Sequence, residues 1–481
     1  MAITLHNMRK NESCGFVTMG TVNIKQSDRN IWKVVTSSFL GNTLEYYDFL
    51  VYGTAASAVF PQIFFPESDG FIGTLAAFGT FAVGFLARPL GGLYFGRWGD
   101  THGRKSALLV TLGLMGFSTL LIGLLPDYAQ IGVLAPLLLV LLRLAQGFAV
   151  GGEWGGAMVI VLETAPEHRR GFFTAWPNTG GFSAQILITL IFAWVYSLPR
   201  EALLSWGWRV PFMFSTLLLS VTYWMRSNLS ETPVFTEFVV PSVRKAVPNA
   251  NMIAATFRDD WRSLLLIVGL RFAEALPYFL LTVFALSYGA NVLGIERGTL
   301  NSAMLIVSVL AFPAHGAFAA ISDRIGRRPV YLFGAVVVFV TAFPFFLLLH
   351  TQLFPLIVLG YVIVLNIGHN ALNAVQPALF AELFPADRRY TGAAAGREIA
   401  SILAGGLTPF IATALAGPNG THWPLVAGYV MFGATLSIIA IWKTPETFRR
   451  NLQGEATKVS ANGNKGGRRT ASRKASSSLR N

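Results

Sequence analysis

A single cysteine, Cys14, stands in a chain of 481 residues. One thiol excludes a disulfide framework, a cysteine-based metal centre and a redox pair. Charge is scarce too: Asp, Glu, Lys and Arg make up 13% of the residues, against 53% hydrophobic ones. A water-facing surface cannot be covered by so few charges, which argues against a soluble protein. Also missing are a nucleophile elbow, a Walker phosphate loop, a dinucleotide fingerprint and any metal-ligand pair. The chain is therefore not expected to be an enzyme, and neither a cofactor nor a metal is implied. Without an ATP-binding loop, any work it performs must be driven by a gradient. Residues 1–30 lack the apolar stretch and cleavage pattern of a removable signal peptide.

What the chain has instead is long apolar runs. A bilayer core takes about 20 apolar residues per helix. Such runs lie at 36–60, 71–96, 106–125, 135–162, 170–197 and 205–225, and again at 263–288, 299–321, 330–350, 354–380, 390–416 and 422–442. The expected fold is all-α, with twelve transmembrane helices in two six-helix bundles, 36–225 and 263–442. A segment 1–35, a central loop 226–262 and a tail 443–481 flank them.

The net charge of +13 would suggest nucleic acid in a soluble protein, but the placement of the basic residues gives another reason for it. Thirty of the 37 Lys and Arg fall in the terminal segments or in the loops after helices 2, 4, 6, 8 and 10. Two, Arg200 and Arg297, fall in the opposite loops, and five (Arg88, Arg143, Arg209, Arg271 and Arg397) lie within or at the edge of spans. Because basic loops stay in the cytoplasm, both termini and the central loop are assigned there, and no nucleic-acid partner is expected. The tail, rich in Lys, Arg, Ser, Gly and Asn, has the composition of a disordered, solvated segment. Contact with anionic lipid is the alternative for it.

The chain repeats itself at two places. Gly99-Asp100-Thr101-His102-Gly103-Arg104-Lys105 after helix 2 returns after helix 8 as Ser322-Asp323-Arg324-Ile325-Gly326-Arg327-Arg328, an offset of 223. Glu163, Pro166, Arg169 and Arg170 return as Glu382, Pro385, Arg388 and Arg389, an offset of 219. Matching loops at nearly one offset imply parallel six-helix repeats about an axis along the membrane normal. In each first loop a tight glycine turn brings an acid towards basic residues and a neighbouring helix dipole, a cluster that forms in one conformation and breaks in another. Asp100, Gly103, Arg104 and Lys105, with Asp323, Gly326, Arg327 and Arg328, are thus candidate gating residues. The plainer alternative is that the basic residues only anchor topology.

The Asp-x-x-Gly-Arg-Lys/Arg pattern of these loops resembles the signature of the major facilitator superfamily. Within it, Gly41-Asn42-Thr43-Leu44-Glu45-Tyr46-Tyr47-Asp48-Phe49, Arg88-Pro89-Leu90-Gly91, Arg143-Leu144-Ala145-Gln146-Gly147, Gly151-Gly152-Glu153-Trp154-Gly155-Gly156, Trp206-Gly207-Trp208-Arg209-Val210-Pro211-Phe212 and Glu231-Thr232-Pro233 resemble the metabolite:proton symporters. Leu270-Arg271-Phe272-Ala273-Glu274 and Asn366-Ile367-Gly368-His369 resemble the shikimate-transporter branch. Thr101 and Asn370 depart from that pattern, at positions where the family has a basic residue and that branch an acid. The first departure bears on the inner gate and the second on substrate identity. The resemblance implies a multi-pass protein of the bacterial inner membrane that couples uptake of a small organic acid or zwitterion to proton entry. It implies a cavity lined by helices 1, 4, 7 and 10, and it links the helix 4 motif around Arg143 to proton coupling. A monomer working with a small solute, protons and the lipid bilayer is the expected assembly.

Independently of resemblance, an ionisable residue inside a membrane span marks a functional site by default. Glu45 and Asp48 are three residues apart, expected on one face of helix 1, with Asp48 about 18 Å in from residue 36, near the midplane. There desolvation favours the neutral acid and a nearby arginine the carboxylate, so protonation can follow conformation. Asp48 is the expected proton carrier and Glu45 the alternate. A structural ion pair, for instance with Arg88, is the competing reading. On helix 4, Arg143 and Gln146 share a face, and the planar guanidinium suits either a substrate carboxylate or a protein acid. Arg143 thus belongs to both the proton-coupling and the substrate-binding candidates. Arg271 and Glu274 on helix 7 join it, as do Asn366, His369, Asn370 and Asn373, which form one polar stripe on helix 10. Interhelical hydrogen bonding is the alternative for the asparagines. Arg88, Glu153, Arg397 and Glu398 are read as structural ion-pair residues, the last two adjacent and so expected to diverge around the helix. Tyr46, Tyr47, Tyr278 and Tyr288 are candidate substrate contacts or simple packing.

The functional expectation is proton-coupled import of a small carboxylated metabolite such as shikimate by alternating access. A proline- or betaine-type osmolyte symporter is the first alternative, although 443–481 carries no apolar heptads of the osmosensing kind. A passive facilitator or channel, which needs no titratable midplane acid, is the second.

Overall fold

The computed structural model describes residues 24–102, 104–228, 256–384 and 389–448. Cys14, Gly103, the Glu231-Thr232-Pro233 motif, Pro385, Arg388, most of the 226–262 loop and the tail from 449 lie outside the described residues.

Twelve long helices make up the described chain: α1 (Ile24–Ala58), α2 (Gly70–Phe95), α3 (Lys105–Gly123), α4 (Leu134–Leu162), α5 (Arg170–Tyr196) and α6 (Val210–Ser227) in the first half. The second half holds α7 (Trp261–Asn291), α8 (Arg297–Ile325), α9 (Arg327–His350), α10 (Phe354–Glu382), α11 (Thr391–Ala416) and α12 (Trp423–Lys443). Ten of them are long and apolar enough to cross a bilayer. The remaining two, α1 and α6, are more polar because they carry buried partners such as Asp48 and Ser215. Helix α1 starts at Ile24, well before the apolar run at 36, because a helix can continue past the membrane edge wherever its backbone bonds stay satisfied.

The packing has a six-helix period. In the first half α1 lies on α5 and α6, α3 on α4 and α6, and α2 on α4; adding six to every number gives the contacts of the second half. Across the halves α5 packs on α8 and α2 on α11, and these two pairings map onto one another in the same way. An even number of spans brings the described chain ends to one side, called here the terminal face.

The burial pattern is inverted relative to a water-soluble protein. Leu141, Leu217, Val340 and Phe432 project outward, while Arg143, Asp48, Arg271 and Glu274 are buried. In lipid only such an arrangement avoids stranding polar groups in hydrocarbon.

Close helix contact depends on small residues. A Cβ on Gly147 of α4 would overlap the Gly84 carbonyl oxygen of α2, and one on Gly84 would come 2.9 Å from Arg143 Nη2. Three helices of the second half widen into π turns, Leu280–Phe284 in α7, Val362–His369 in α10 and Ile402–Gly406 in α11. Such turns loosen the backbone ladder and recur at functional sites; here the α10 turn carries Asn366 and His369.

Candidate substrate and proton site

Asp48 is fully buried, between α1, α3 and α6. It accepts hydrogen bonds from Ser215 Oγ and, at 2.7 Å, from Thr119 Oγ1. Thr119 in turn accepts from Gln146 Nε2 at 2.7 Å, and Gln146 Oε1 accepts from Arg143 Nη1. Arg143 also donates to the Phe81 carbonyl at 3.1 Å, and its guanidinium lies 4.0 Å from the Tyr52 ring centroid. Acid and guanidinium are thus joined through two neutral side chains inside the first half. A change in the charge of Asp48 would be felt at Arg143 through these hydrogen bonds.

Glu45 does not share this network, which corrects the expectation that both acids act on one face. Positions three apart differ by about 60° around a helix, and α1 sits where that angle separates two interfaces. Asp48 points into its own half, while Glu45 points towards the other. Glu45 lies 3.9 Å from Arg88, whose guanidinium packs against the Phe49 and Phe85 rings at 4.0 and 4.2 Å. Arg88 also reaches Glu398 of α11 at 3.5 Å, and Glu398 accepts from Arg397 at 2.6 Å. Arg397 in turn lies over Trp154 of α4 at 4.3 Å. The expected divergence of Arg397 and Glu398 is corrected as well: adjacent positions do point apart, but the arginine side chain is long enough to fold back onto its neighbour. Four buried charges therefore alternate across the boundary between the halves. Glu153, by contrast, pairs with Arg226 at 2.8 Å inside the first half.

The second half has its own group. Arg271 binds Glu274 one turn on and donates to Gln376 Oε1 at 2.7 Å. His369 Nδ1 meets the Glu274 carbonyl at 3.0 Å, and its ring stacks on Tyr278, which in turn meets Tyr46 of α1 edge-on. Asn366 and Asn370 donate to the Val307 and Ala311 carbonyls of α8, while Asn373 Oδ1 accepts from Asn178 Nδ2 of α5 at 2.9 Å. The stripe on α10 thus splits between helix-to-helix bonds and a face at the boundary. Gln376 continues its spacing and was legible in that pattern. Thr119, Ser215, Asn178 and His315 were not singled out, because one hydroxyl, amide or imidazole in an apolar span is ordinary. Tyr47 donates to the Pro211 carbonyl and Tyr288 to the Gly420 carbonyl, which makes both packing residues in this conformation.

The terminal face is closed. Asp323 accepts from the backbone N–H groups of Gly171 and Phe172, at 3.0 and 2.8 Å, and so caps the N-terminus of α5 from across the boundary. Arg327 holds Asp323 at 2.8 Å and lies 3.8 Å from Glu382, while Gly326, at φ +106°, makes the turn between them. Glu446 accepts from the Arg327 and Arg328 amides, fitting against Gly326 where a Cβ would lie 2.7 Å from its Oε2. In the first copy of the loop Gly103 and the side chains of Asp100 and Arg104 lie outside the described residues, while Lys105 donates to the Ser227 carbonyl at the end of α6. On the opposite face a cleft of about 370 Å³ opens between the halves, lined among others by Ser57, Thr74, Ser287, Tyr288, Asn291 and Thr413.

Twelve helices in two sixes of matching contact pattern, a closed face and an opposite cleft describe a transporter scaffold, and comparison with known proteins names it. The sequence model of the Major Facilitator Superfamily matches residues 39–395 and 278–475. The chain belongs to that superfamily. It is 40% identical to the shikimate transporter of Escherichia coli (strain K12), over 87% of this chain and 94% of that protein. To the proline/betaine transporter of Salmonella typhimurium (strain LT2) it is 35% identical, over 93% and 90%. Among solved structures, the xylose transporter XylE from E. coli in a partially occluded inward-open conformation superimposes with a TM-score of 0.66 at 18% identity, over 87% of this chain and 98% of that one. That likeness carries the fold. The superfamily protein is thus a multi-pass transport protein of the bacterial inner membrane and not an enzyme, as the loop and helix motifs implied.

Proposed function

We propose that the protein is a proton-coupled symporter that imports a small carboxylated metabolite. One observation carries this reading: among the described residues the buried acids and arginines balance one for one. Asp48 is matched by Arg143, Glu153 by Arg226, Glu45 and Glu398 by Arg88 and Arg397, Glu274 by Arg271, and Glu382 by Arg327. A carboxylate that binds Arg271 displaces or joins Glu274 and leaves one negative charge in excess, which is expensive away from water. A proton taken up by one of the acids removes the excess, so solute and proton travel together. Asp48 is proposed as the carrier, since its hydroxyl partners and Gln146 relay its charge state to Arg143, with Glu45 the alternate. The likeness to a shikimate transporter supports a carboxylated solute. No cofactor enters this scheme; the proton gradient supplies the work. With the termini in the cytoplasm and the protein acting as a monomer, the cleft faces the periplasm, solute enters there, and parting of the Asp323–Arg327 cluster releases it.

A second reading, a zwitterion symporter, is favoured by the same balance, because a net-neutral solute leaves it undisturbed, and by the likeness to a proline/betaine transporter. Tracer uptake of shikimate and of proline into proteoliposomes, with and without an imposed pH gradient, separates the readings. Accumulation of shikimate that survives collapse of the gradient rejects proton coupling. Asp48→Asn is expected to abolish accumulation while leaving exchange, and normal accumulation in that variant removes Asp48 as carrier.

A further inference from the structure

A small void beneath the terminal face gathers three buried acceptors that have nothing to accept from. It lies between Asn42 and Glu45 of α1, Glu153 of α4, Asn178 of α5 and Pro377 of α10, with room of about 10 Å³, the least that one water molecule needs. Asn42 is 7% exposed and each glutamate 2%. Each glutamate turns one oxygen to an arginine: Glu153 Oε1 accepts from Arg226 of α6 at 2.8 Å, and Glu45 Oε1 lies 3.9 Å from Arg88 of α2. The other oxygens, Glu45 Oε2 and Glu153 Oε2, make no hydrogen bond, and neither does Asn42 Oδ1.

Among the described residues these three are the only buried polar atoms of the wall left bare, and all three are acceptors. The donors of the wall go elsewhere. Asn178 Nδ2 is spent on Asn373 and Thr174 Oγ1 on the Arg170 carbonyl, while the Ser38 hydroxyl and the Trp154 indole bond none of the three. Arg226 Nη1, Arg88 Nε and Arg397 Nε are bare donors, but their residues do not line the void, and neither does Glu398, the remaining charge around Glu45.

One water has two hydrogens and leaves an oxygen of the three unsatisfied, at the cost that any bare buried acceptor carries. A hard cation satisfies all three at once, because carboxylate and amide oxygens are the ligands it takes. Two carboxylates on the wall supply the opposite charge that a buried ion requires. We propose that the void is a binding site for one small monovalent cation, a sodium ion or a proton carried on a water molecule. Each brings unit positive charge in a particle no larger than water, and a protonated water has three hydrogens for the three oxygens. The tight fit favours sodium and lithium over the larger potassium. The site is separate from the Asp48 network, which faces Thr119 of α3 and Ser215 of α6.

The test uses the full chain purified in detergent. At about pH 8, exchange of choline for sodium at constant ionic strength is expected to raise Tm saturably, by about 4 °C at roughly 100 times the dissociation constant, and potassium to do less than about half as much. Asn42→Leu removes one ligand oxygen without changing a charge and is expected to weaken sodium at least about tenfold. Asn42→Ala replaces it if the leucine variant does not fold. If the ion is the proton, sodium leaves Tm unchanged, and the proton titration of the wild-type protein in choline, followed from about pH 8.5 to 5.5, moves down by about one pH unit in the Asn42 variant. No response to either ion, or a response that the Asn42 variants leave unchanged, overturns the site. Proton coupling through Asp48 rests on other residues and stands in that event.

Discussion

The ion pair between Arg88 and Glu398 crosses from one half to the other, so its loss should open the terminal face. At 3.5 Å and an effective dielectric of about 20, the attraction is about 5 kcal/mol. Part of it survives in Glu398→Gln, because Arg88 keeps Glu45 at 3.9 Å and the amide keeps a dipole. About 2 kcal/mol remains to be lost, and only from the closed state, a shift of roughly 30-fold towards the open one. The lone cysteine makes this measurable. In a Cys14→Ser background, Ser38→Cys places a near-isosteric thiol beside a small void lined by Glu45, Asn178 and Pro377, beneath the closed face. Its rate of modification by a membrane-impermeant thiol reagent reports the open population. Glu398→Gln is expected to raise that rate about 30-fold, Arg88→Gln similarly, and the double variant no more than either alone. An unchanged rate, or effects that simply add, refutes a cross-boundary latch.

Other perturbations test neighbouring parts of the account. Thr119→Val cuts the chain between Asp48 and Gln146, and is expected to slow proton-driven uptake at least about tenfold while ligand-free thermal unfolding moves by only about 1–2 kcal/mol; normal uptake removes the relay. Gly147→Ala forces α4 off the Gly84 carbonyl and is expected to destabilise by about 2–3 kcal/mol, read as a lowered Tm in detergent. Asp323→Asn keeps one cap bond to α5 but loses the charge facing its N-terminus. It should weaken the closed face by about 1 kcal/mol, visible as a fivefold rise in Ser38→Cys labelling.

The architecture was legible because bilayer physics writes in long strokes: apolar runs of span length, thirty basic residues in the terminal segments and alternate loops, and a repeated Asp-x-x-Gly-Arg motif. Even the acid-to-helix contact of Asp323 could be anticipated in kind, though not that its partner would be α5 of the other half. The site was legible residue by residue but not in its wiring. Glu45 and Asp48 were visible as costly charges, yet a 60° difference around α1 decides which half each one serves. Arg397 and Glu398 looked divergent, because spacing reports Cβ directions and not the reach of a guanidinium. Gln376 lay in the α10 stripe, whereas Thr119 and Ser215 gave no signal, since single hydroxyls in apolar helices usually bond back to their own backbone.

Charge balance among the buried groups ties the solute to a proton, and proton uptake on binding tests that tie directly. Purified protein in weakly buffered detergent with a pH indicator dye is titrated with shikimate near neutral pH. About one proton should be taken up for each carboxylate bound, and none for proline. Saturable shikimate binding with no proton uptake would contradict the central claim.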